Sequence, residues 1–511
     1  MIFISTMTKL RTKLLVIFLF VFILSLMEIL SLGNKTTLSQ LDTIDEEMLG
    51  ATKTINYDSS VLGLGRRRSY STHYCLGPRK VEAEQSLDVD MFRSCHFTDV
   101  CLAPNGHPLA TRTDIKHRGF SLLYITHDEA DEPEKELHNN PDLIKTIVRP
   151  QSEGRGPKRG HVREVHYLTP QIVNQSTASL YQKHWSPITV AIPFMFHQCT
   201  NFGHALGDNV FPMFRILKNF GLYHPKLRFL PIRVDCANRD NCGDKCKMVS
   251  QLMDPFLRQG EIEPPYHVNG LFNVYYKTAM KISTEEHQQM KRNKTLPLLC
   301  FENVLSGLYY YPDHGEDRTS HGNRENEAGS DILHTGSGDK FLEFRNQYMT
   351  RLGIDPDRHL TKGACQGAEQ TASIVILTRR PESNRASGWY EGNLVEELKK
   401  TLPNEKLTIV DYSIHDVKAQ VDMASTAKIL VSMGGGASYL AFFLAPGASA
   451  LLLKRRCKVH DSNIFDNIPY IRKEYFDASN CTSDLEVFDY VQMAKSVQRA
   501  IEHYNRRFCE D

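Results

Sequence analysis

From Thr371 onward the chain repeats one pattern: a short aliphatic run, a loop, a stretch with apolar residues at helical spacing, and another short aliphatic run. SIVILT, GNLVEELKKTL, KLTIVDY, a helical stretch around His415 to Ser425, KILVSM, a glycine loop and SALLLK follow in that order. Strands alternating with helices of about 10 to 15 residues are predicted to pair in parallel, because a helix fits a crossover connection and not a hairpin. The pattern therefore predicts an α/β, Rossmann-like domain. In such a sheet ligands bind beyond the carboxyl ends of the strands.

Two of those ends carry chemistry. Arg379, Arg380 and Arg385 follow SIVILT, and guanidinium groups there suit bidentate grip of a diphosphate. Gly434, Gly435, Gly436, Ala437 and Ser438 follow KILVSM. Three glycines permit close backbone approach, and the free amides of a following helix start favour phosphate oxygens. Each motif alone also fits a solvated loop or a tight turn; their place in one array joins them. A third segment is TNFGHALGDNVFPMFRILKNFGLY, where Asn201 is suited to cap a helix that carries His204 and Asp208 four residues apart on one face. An imidazole or carboxylate at a cleft wall suits removal of a proton from a hydroxyl. A surface or core-capping His/Asp pair gives the same pattern.

The N-terminus imposes a second constraint. Lys9, Arg11 and Lys13 precede an apolar run from Leu14 to Leu32, broken by Glu28 and two serines. A bilayer needs about 20 such residues, and the preceding positive charge keeps the tail cytosolic and sends the remainder into the lumen. A signal-anchor is expected over a cleaved signal peptide, because no A-x-A-like site follows. Either reading gives a lumenal protein. Sequons for N-glycosylation at Asn34, Asn174, Asn293 and Asn480, and an even count of 12 cysteines, agree with an oxidising compartment. Cys236, Cys242 and Cys246 lack paired CxxC spacing, so a disulfide loop is expected there and no metal is assigned. The chain ends in FCED without a KDEL-like signal, which favours the Golgi membrane over the endoplasmic reticulum.

The 511 residues suffice for two domains, and 61 Lys plus Arg against 60 Asp plus Glu give no global attraction to nucleic acid. The expected organisation is a cytosolic tail (1–13), an anchor helix (14–32), a stem (33–70), an N-terminal acceptor-side domain (71–355), a C-terminal nucleotide-binding domain (356–482) and a terminal helix (483–511). The acceptor-side domain opens with strand-like runs such as FSLLYIT and ITVAIPFMF and carries two polar insertions, 127–162 and 312–340, read as surface loops. The terminal helix places Leu485, Phe488, Val491, Met493, Val497 and Ile501 at helical spacing.

Four blocks in this order resemble glycosyltransferase family 61. TNFGHALGDNVFPMF is similar at Asn201, His204, Asp208, Pro212 and Phe214, and LCFENVLSGL at Cys300, Phe301 and Gly307. ILTRRPESNR is similar at Arg380 and Arg385, or at Arg379 by one shift, and MASTAKILVSMGGGASYLAFFLAPGA at Phe443, Leu444, Pro446 and Gly447. The sequence departs from the family where Gly434 replaces a common His and where Tyr439 and Leu440 replace a Thr-Asn pair. The resemblance implies a GT-B fold, with two Rossmann-like domains facing a cleft and the terminal helix crossing back to the first. It also implies an inverting transfer, without a metal, from a UDP-sugar (GlcNAc or a pentose such as xylose) to a hydroxyl of a glycoprotein or glycan. Asp208, or His204, would be the base and Asn201 would lie on the acceptor side. Arg379, Arg380, Arg385, Gly434, Gly435, Gly436 and Ser438 would hold the donor. The Gly434 departure leaves open a catalytically inactive lumenal protein that binds sugar nucleotide or glycan. An Asp88 to Asp90 DVD lies outside the matched blocks and is read as incidental.

Overall fold

Two large sheets, one mixed and one parallel, carry the fold in a computed structural model of the chain. The structure describes residues 68–76, 94–111, 119–147, 167–188, 190–194, 202–223, 229–233, 272–307, 338–358, 373–377, 391–410, 416–433, 436–453, 468–476 and 488–508, with 252, 255 and 465. The chain divides into two units, Met1–Gly65 and Arg66–Asp511, and every described residue lies in the second. The expected tail, anchor and nearly all of the stem are outside the described residues. Among those described, no helix is long and apolar enough to cross a membrane.

The first sheet contains β1 (Thr72–Leu76), β2 (Ser94–Pro104) and β3 (Phe120–Thr126). A two-stranded ribbon, β4 (Thr146–Ile147) with β5 (Tyr167–Leu168), follows. The sheet continues with β6 (Gln171–Asn174), β7 (Lys183–Trp185), β8 (Val190–Phe194), β9 (Phe229–Arg233) and β10 (Leu298–Ser306). Its order is β6-β3-β2-β10-β8-β9, with β1 beside β2 and β7 beside β10. The expectation that this half is Rossmann-like is corrected, because β2 runs antiparallel to β1, β3 and β10. Locally the cause is a reversal: the Asn105 N–H donates to the Gly119 carbonyl at 2.8 Å, so β2 returns as β3 beside itself instead of crossing over. Parallel pairing survives on the other side, where β7 and β8 flank β10 and β9 follows β8.

Disulfides staple this antiparallel core. Cys75 and Cys95 are register partners of β1 and β2, and Cys101 and Cys300 of β2 and β10, and each pair is bonded. The insertion expected at 127–162 is also corrected in part. A helix, Glu132–Asn139, is capped by the Asp131 carboxylate, which accepts from the Glu134 N–H at 3.0 Å. Leu137 and Ile144 enter the core under the first sheet, so two well-placed apolar residues outweigh a charged composition. Likewise the second insertion gives way at Gly338 to a helix, Gly338–Arg351.

The second sheet matches the sequence reading. It is formed by β11 (Ser373–Leu377), β12 (Leu407–Val410), β13 (Ala427–Met433), β14 (Ser449–Leu453) and β15 (Arg472–Phe476), in the order β12-β11-β13-β14-β15, all parallel. Helices Glu391–Thr401 and Val417–Ser425 form the first two crossovers. Ile374, Ile376, Ile429, Val431, Leu451 and Leu453 pack on one face; Val375, Leu430, Ala450 and Leu452 pack on the other. Burial of both faces is why these strands read as unbroken apolar runs.

The terminal helix starts at Tyr490, and its face of Met493, Ala494, Val497, Ala500 and Ile501 lies on the parallel sheet with Glu391–Thr401. Val491, expected on that face, is 51% exposed. Helical positions 493, 497 and 500 align in a stripe, and 491 falls about 200° away from 493. The helix face is thus committed to the second sheet; Tyr504 reaches the central cluster. The expected crossing back is not among the described contacts. That central cluster joins β8, the Phe202–Asn219 segment, Gly338–Arg351 and a short helix after β13.

Candidate active site

In the second sheet, strand order reverses between β11 and β13, which are hydrogen-bonded neighbours. In doubly wound sheets this switch point opens a crevice at the carboxyl ends of the two flanking strands. β11 ends at Leu377, two residues before Arg379, and β13 ends at Met433, immediately before Gly434. The strands that precede the two motifs in sequence are therefore parallel neighbours. Arg379, Arg380, Arg385, Gly434 and Gly435 themselves lie outside the described residues, as do Asn201, the Cys236 to Cys246 loop and Asp88 to Asp90. Gly436 and Ser438 are described: they open a 3-10 helix, Gly436–Phe443, in which Ser438 is buried.

The segment of the His/Asp pair is less regular than a single helix. A turn of α-helix, Phe202–His204, passes into a π-helical turn, Ala205–Val210, and then into an α-helix, Phe211–Asn219. Pro212 supplies the cause: it has no N–H to give the Asp208 carbonyl four residues earlier, and its ring would collide with that carbonyl in a regular helix. A widened turn relieves both problems. His204 thus ends the α-turn and Asp208 sits in the π-turn.

These two segments meet. A Cβ placed on Gly203 would lie 2.7 Å from Tyr439 Cδ2 and 2.8 Å from the Gly436 Cα, and one on Gly207 would lie 2.6 Å from Tyr439 Cε1. Only glycine permits that approach. The spacing Gly-x-x-x-Gly puts both on one side of a helix, so the flat Tyr439 ring lies along them. Gly203 neighbours His204, and Gly207 neighbours Asp208.

The far end of the 3-10 helix is held by a buried cation. Arg345, 1% exposed, donates from Nε to the Leu444 carbonyl at 2.7 Å and from Nη1 and Nη2 to the Pro356 carbonyl at 3.2 Å. The Tyr470 hydroxyl donates to the Phe442 carbonyl at 2.6 Å. Burial lowers the Arg345 pKa and raises that of Tyr470, whose shift the neighbouring Arg345 partly opposes. A cation at a helix C-terminus also meets the negative end of its dipole. Phe211 stacks on Phe341 with centroids 4.3 Å apart and meets Phe442 edge-on at 5.7 Å, tying the same helix to the segment of the His/Asp pair.

Asn174 and Asn293 are exposed, on the rim of the first sheet and at the end of helix Thr284–Arg292; Asn34 and Asn480 fall outside the described residues. Sequence reasoning overlooked Gly203, Gly207 and Arg345, and read Tyr439 only as a departure from the family. The glycine pair had a readable signal, its four-residue spacing within NFGHALGD. Arg345 had none, since one arginine in an amphipathic helix looks like any other.

No curated protein matches the chain. Among solved structures, a similar one is E. coli heptosyltransferase WaaC with ADP-2-deoxy-2-fluoro heptose, at 11% identity over 61% of this chain and 98% of that chain, with a TM-score of 0.27. So slight a likeness is taken no further. Residues 202–451 match the family model described as Glycosyltransferase 61, a span that opens at Phe202 and runs into β14. That span takes in the glycine-faced helix, the switch point and the glycine turn together, and by this match the chain carries over residues 202–451 the domain of the glycosyltransferase 61 family and is a glycosyltransferase.

Proposed function

We propose that this glycosyltransferase moves GlcNAc, or a pentose such as xylose, from a UDP-sugar to a hydroxyl of a glycoprotein or glycan in the secretory pathway. It does so with inversion and without a metal. The observation that carries the reading is the junction of Gly203 and Gly207 with Gly436 and Tyr439. It brings the backbone of a base-bearing segment to the turn that leaves the sheet's switch point. In the reaction, the acceptor oxygen forms the new bond to the anomeric carbon as the bond to the diphosphate breaks, and the acceptor proton passes to Asp208, or to His204. Arg379, Arg380 and Arg385, with the amides from Gly434 to Ser438, stabilise the departing diphosphate. A GT-B arrangement suits these roles: the parallel sheet takes the donor and the mixed sheet takes the acceptor. The apolar run at 14–32 anchors the enzyme in the Golgi membrane with its catalytic part lumenal.

The test is release of free nucleotide by residues 71–511, secreted from a eukaryotic host, against a panel of UDP-sugars with and without EDTA. Turnover that resists EDTA and falls at least a hundredfold in Asp208→Ala and Arg380→Ala supports the proposal and names the donor. Turnover abolished by EDTA overturns the metal-free part. Donor-dependent thermal stabilisation with no turnover from any donor would favour the binding-protein reading suggested by the Gly434 departure.

A further inference from the structure

The Tyr439 ring is confined on every described side. Its Cδ2 and Cε2 edge lies over Gly203 and its Cε1 edge over Gly207, at separations where any side chain on those glycines would collide. Phe442 stacks parallel to it, at 10° and 5.8 Å, and Phe465 meets it edge-on at 5.5 Å. Phe442 is backed in turn by Phe341, 5.0 Å away, and by Phe211. Phe211 directly follows the π-turn that contains Gly207. The contacts form a closed ring that begins and ends on the segment carrying His204 and Asp208.

A π-turn has little intrinsic stability and adopts its shape where surroundings impose it. Glycine at its centre adds backbone freedom instead of removing it. Pro212 accounts for the widening of the turn but not for where its backbone lies, and among the described residues the side chain pressed against both Gly203 and Gly207 is Tyr439.

We propose that Tyr439 is a positioning residue for the transfer, its ring acting as the wall that sets the His204 to Asp208 backbone relative to the Gly436 turn. The inference rests on the proposed roles of His204 and Asp208. It adds that catalytic geometry depends on an aromatic face at position 439 and on the lack of side chains at 203 and 207. A displaced base changes kcat more than donor affinity, since a misplacement of about 1 Å costs roughly a hundredfold in rate.

The experiment compares Tyr439→Phe, Tyr439→Leu, Gly207→Ala, Asp208→Ala and His204→Ala in the 71–511 protein, with UDP-N-acetylglucosamine and UDP-xylose as donors. It reads kcat, donor KM, the pH profile of kcat and the melting temperature. Tyr439→Phe is expected to hold kcat within about twofold, because it keeps the ring carbons that face Gly203 and Gly207. Tyr439→Leu and Gly207→Ala are expected to lose at least tenfold in kcat with donor KM within threefold, and to shift the acid limb of the pH profile. Should Tyr439→Leu fail to fold, Gly207→Ala carries the test. A kcat that falls only with the folded fraction, with an unchanged pH profile, overturns the proposal. If Asp208→Ala is inactive and Gly207→Ala is wild type, this inference alone falls. If Asp208→Ala and His204→Ala both keep full turnover, the proposed base and this inference fall together.

Discussion

The Arg345 Nε donates to the Leu444 carbonyl at 2.7 Å across 99 residues of sequence. A helix of the central cluster thereby closes the C-terminal end of the turn whose first residues lie against Gly203. Removing the guanidinium leaves the carbonyl of buried Leu444 and that of half-buried Pro356 without these donors. Arg345→Met is expected to cost about 2–4 kcal/mol in urea unfolding. Arg345→Lys should recover only part of the loss, because one ammonium does not span both carbonyls.

The disulfides differ in what they close. Cys101–Cys300 joins residues 199 apart and Cys75–Cys95 joins residues 20 apart. On chain entropy alone, the longer loop contributes about 5 kcal/mol and the shorter about 3 kcal/mol. Cys101→Ser/Cys300→Ser is therefore predicted to lower stability by about 2 kcal/mol more than Cys75→Ser/Cys95→Ser in equilibrium denaturation.

Burial holds the His107 pKa down at about 4, and its Nδ1 accepts from the Leu109 N–H at 3.0 Å, so protonation would forfeit that bond as well. The unfolded chain binds a proton near pH 6.5 and the native chain near 4, so within that window the unfolded state holds more protons. Stability from this group is complete above about pH 6.5 and is lost as pH falls towards 4, by roughly 3 kcal/mol in all. His107→Asn, which keeps an acceptor for Leu109, should flatten the stability curve between these limits; an unchanged slope would refute the assignment.

Asn174 and Asn293 are exposed. If the proposed lumenal location holds, Asn174→Gln and Asn293→Gln each remove one endoglycosidase-sensitive step in gel mobility from protein made in a secretory host. Asn293→Gln should leave the melting point nearly unchanged, as exposed substitutions generally cost under about 0.5 kcal/mol. Unglycosylated protein at both positions would count against the location.

The second sheet was legible because its strands are buried on both faces and separated by helices, which leaves a local imprint: SIVIL, LTIV, AKILVSM and SALLL all read as strands. The two strand ends that flank its switch point, Leu377 and Met433, were legible for the same reason. The mixed sheet was not. Whether β2 pairs parallel or antiparallel with β10 depends on residues about 200 positions apart, which no local pattern in either strand records. The Pro212-induced π-turn could be inferred from one residue, but its wall could not. Sequence alone determined which residue types are available at positions 203, 207, 345 and 439. Tertiary structure decided that they meet, because close packing between distant segments is specified by shape at the contact and not by any periodicity along the chain.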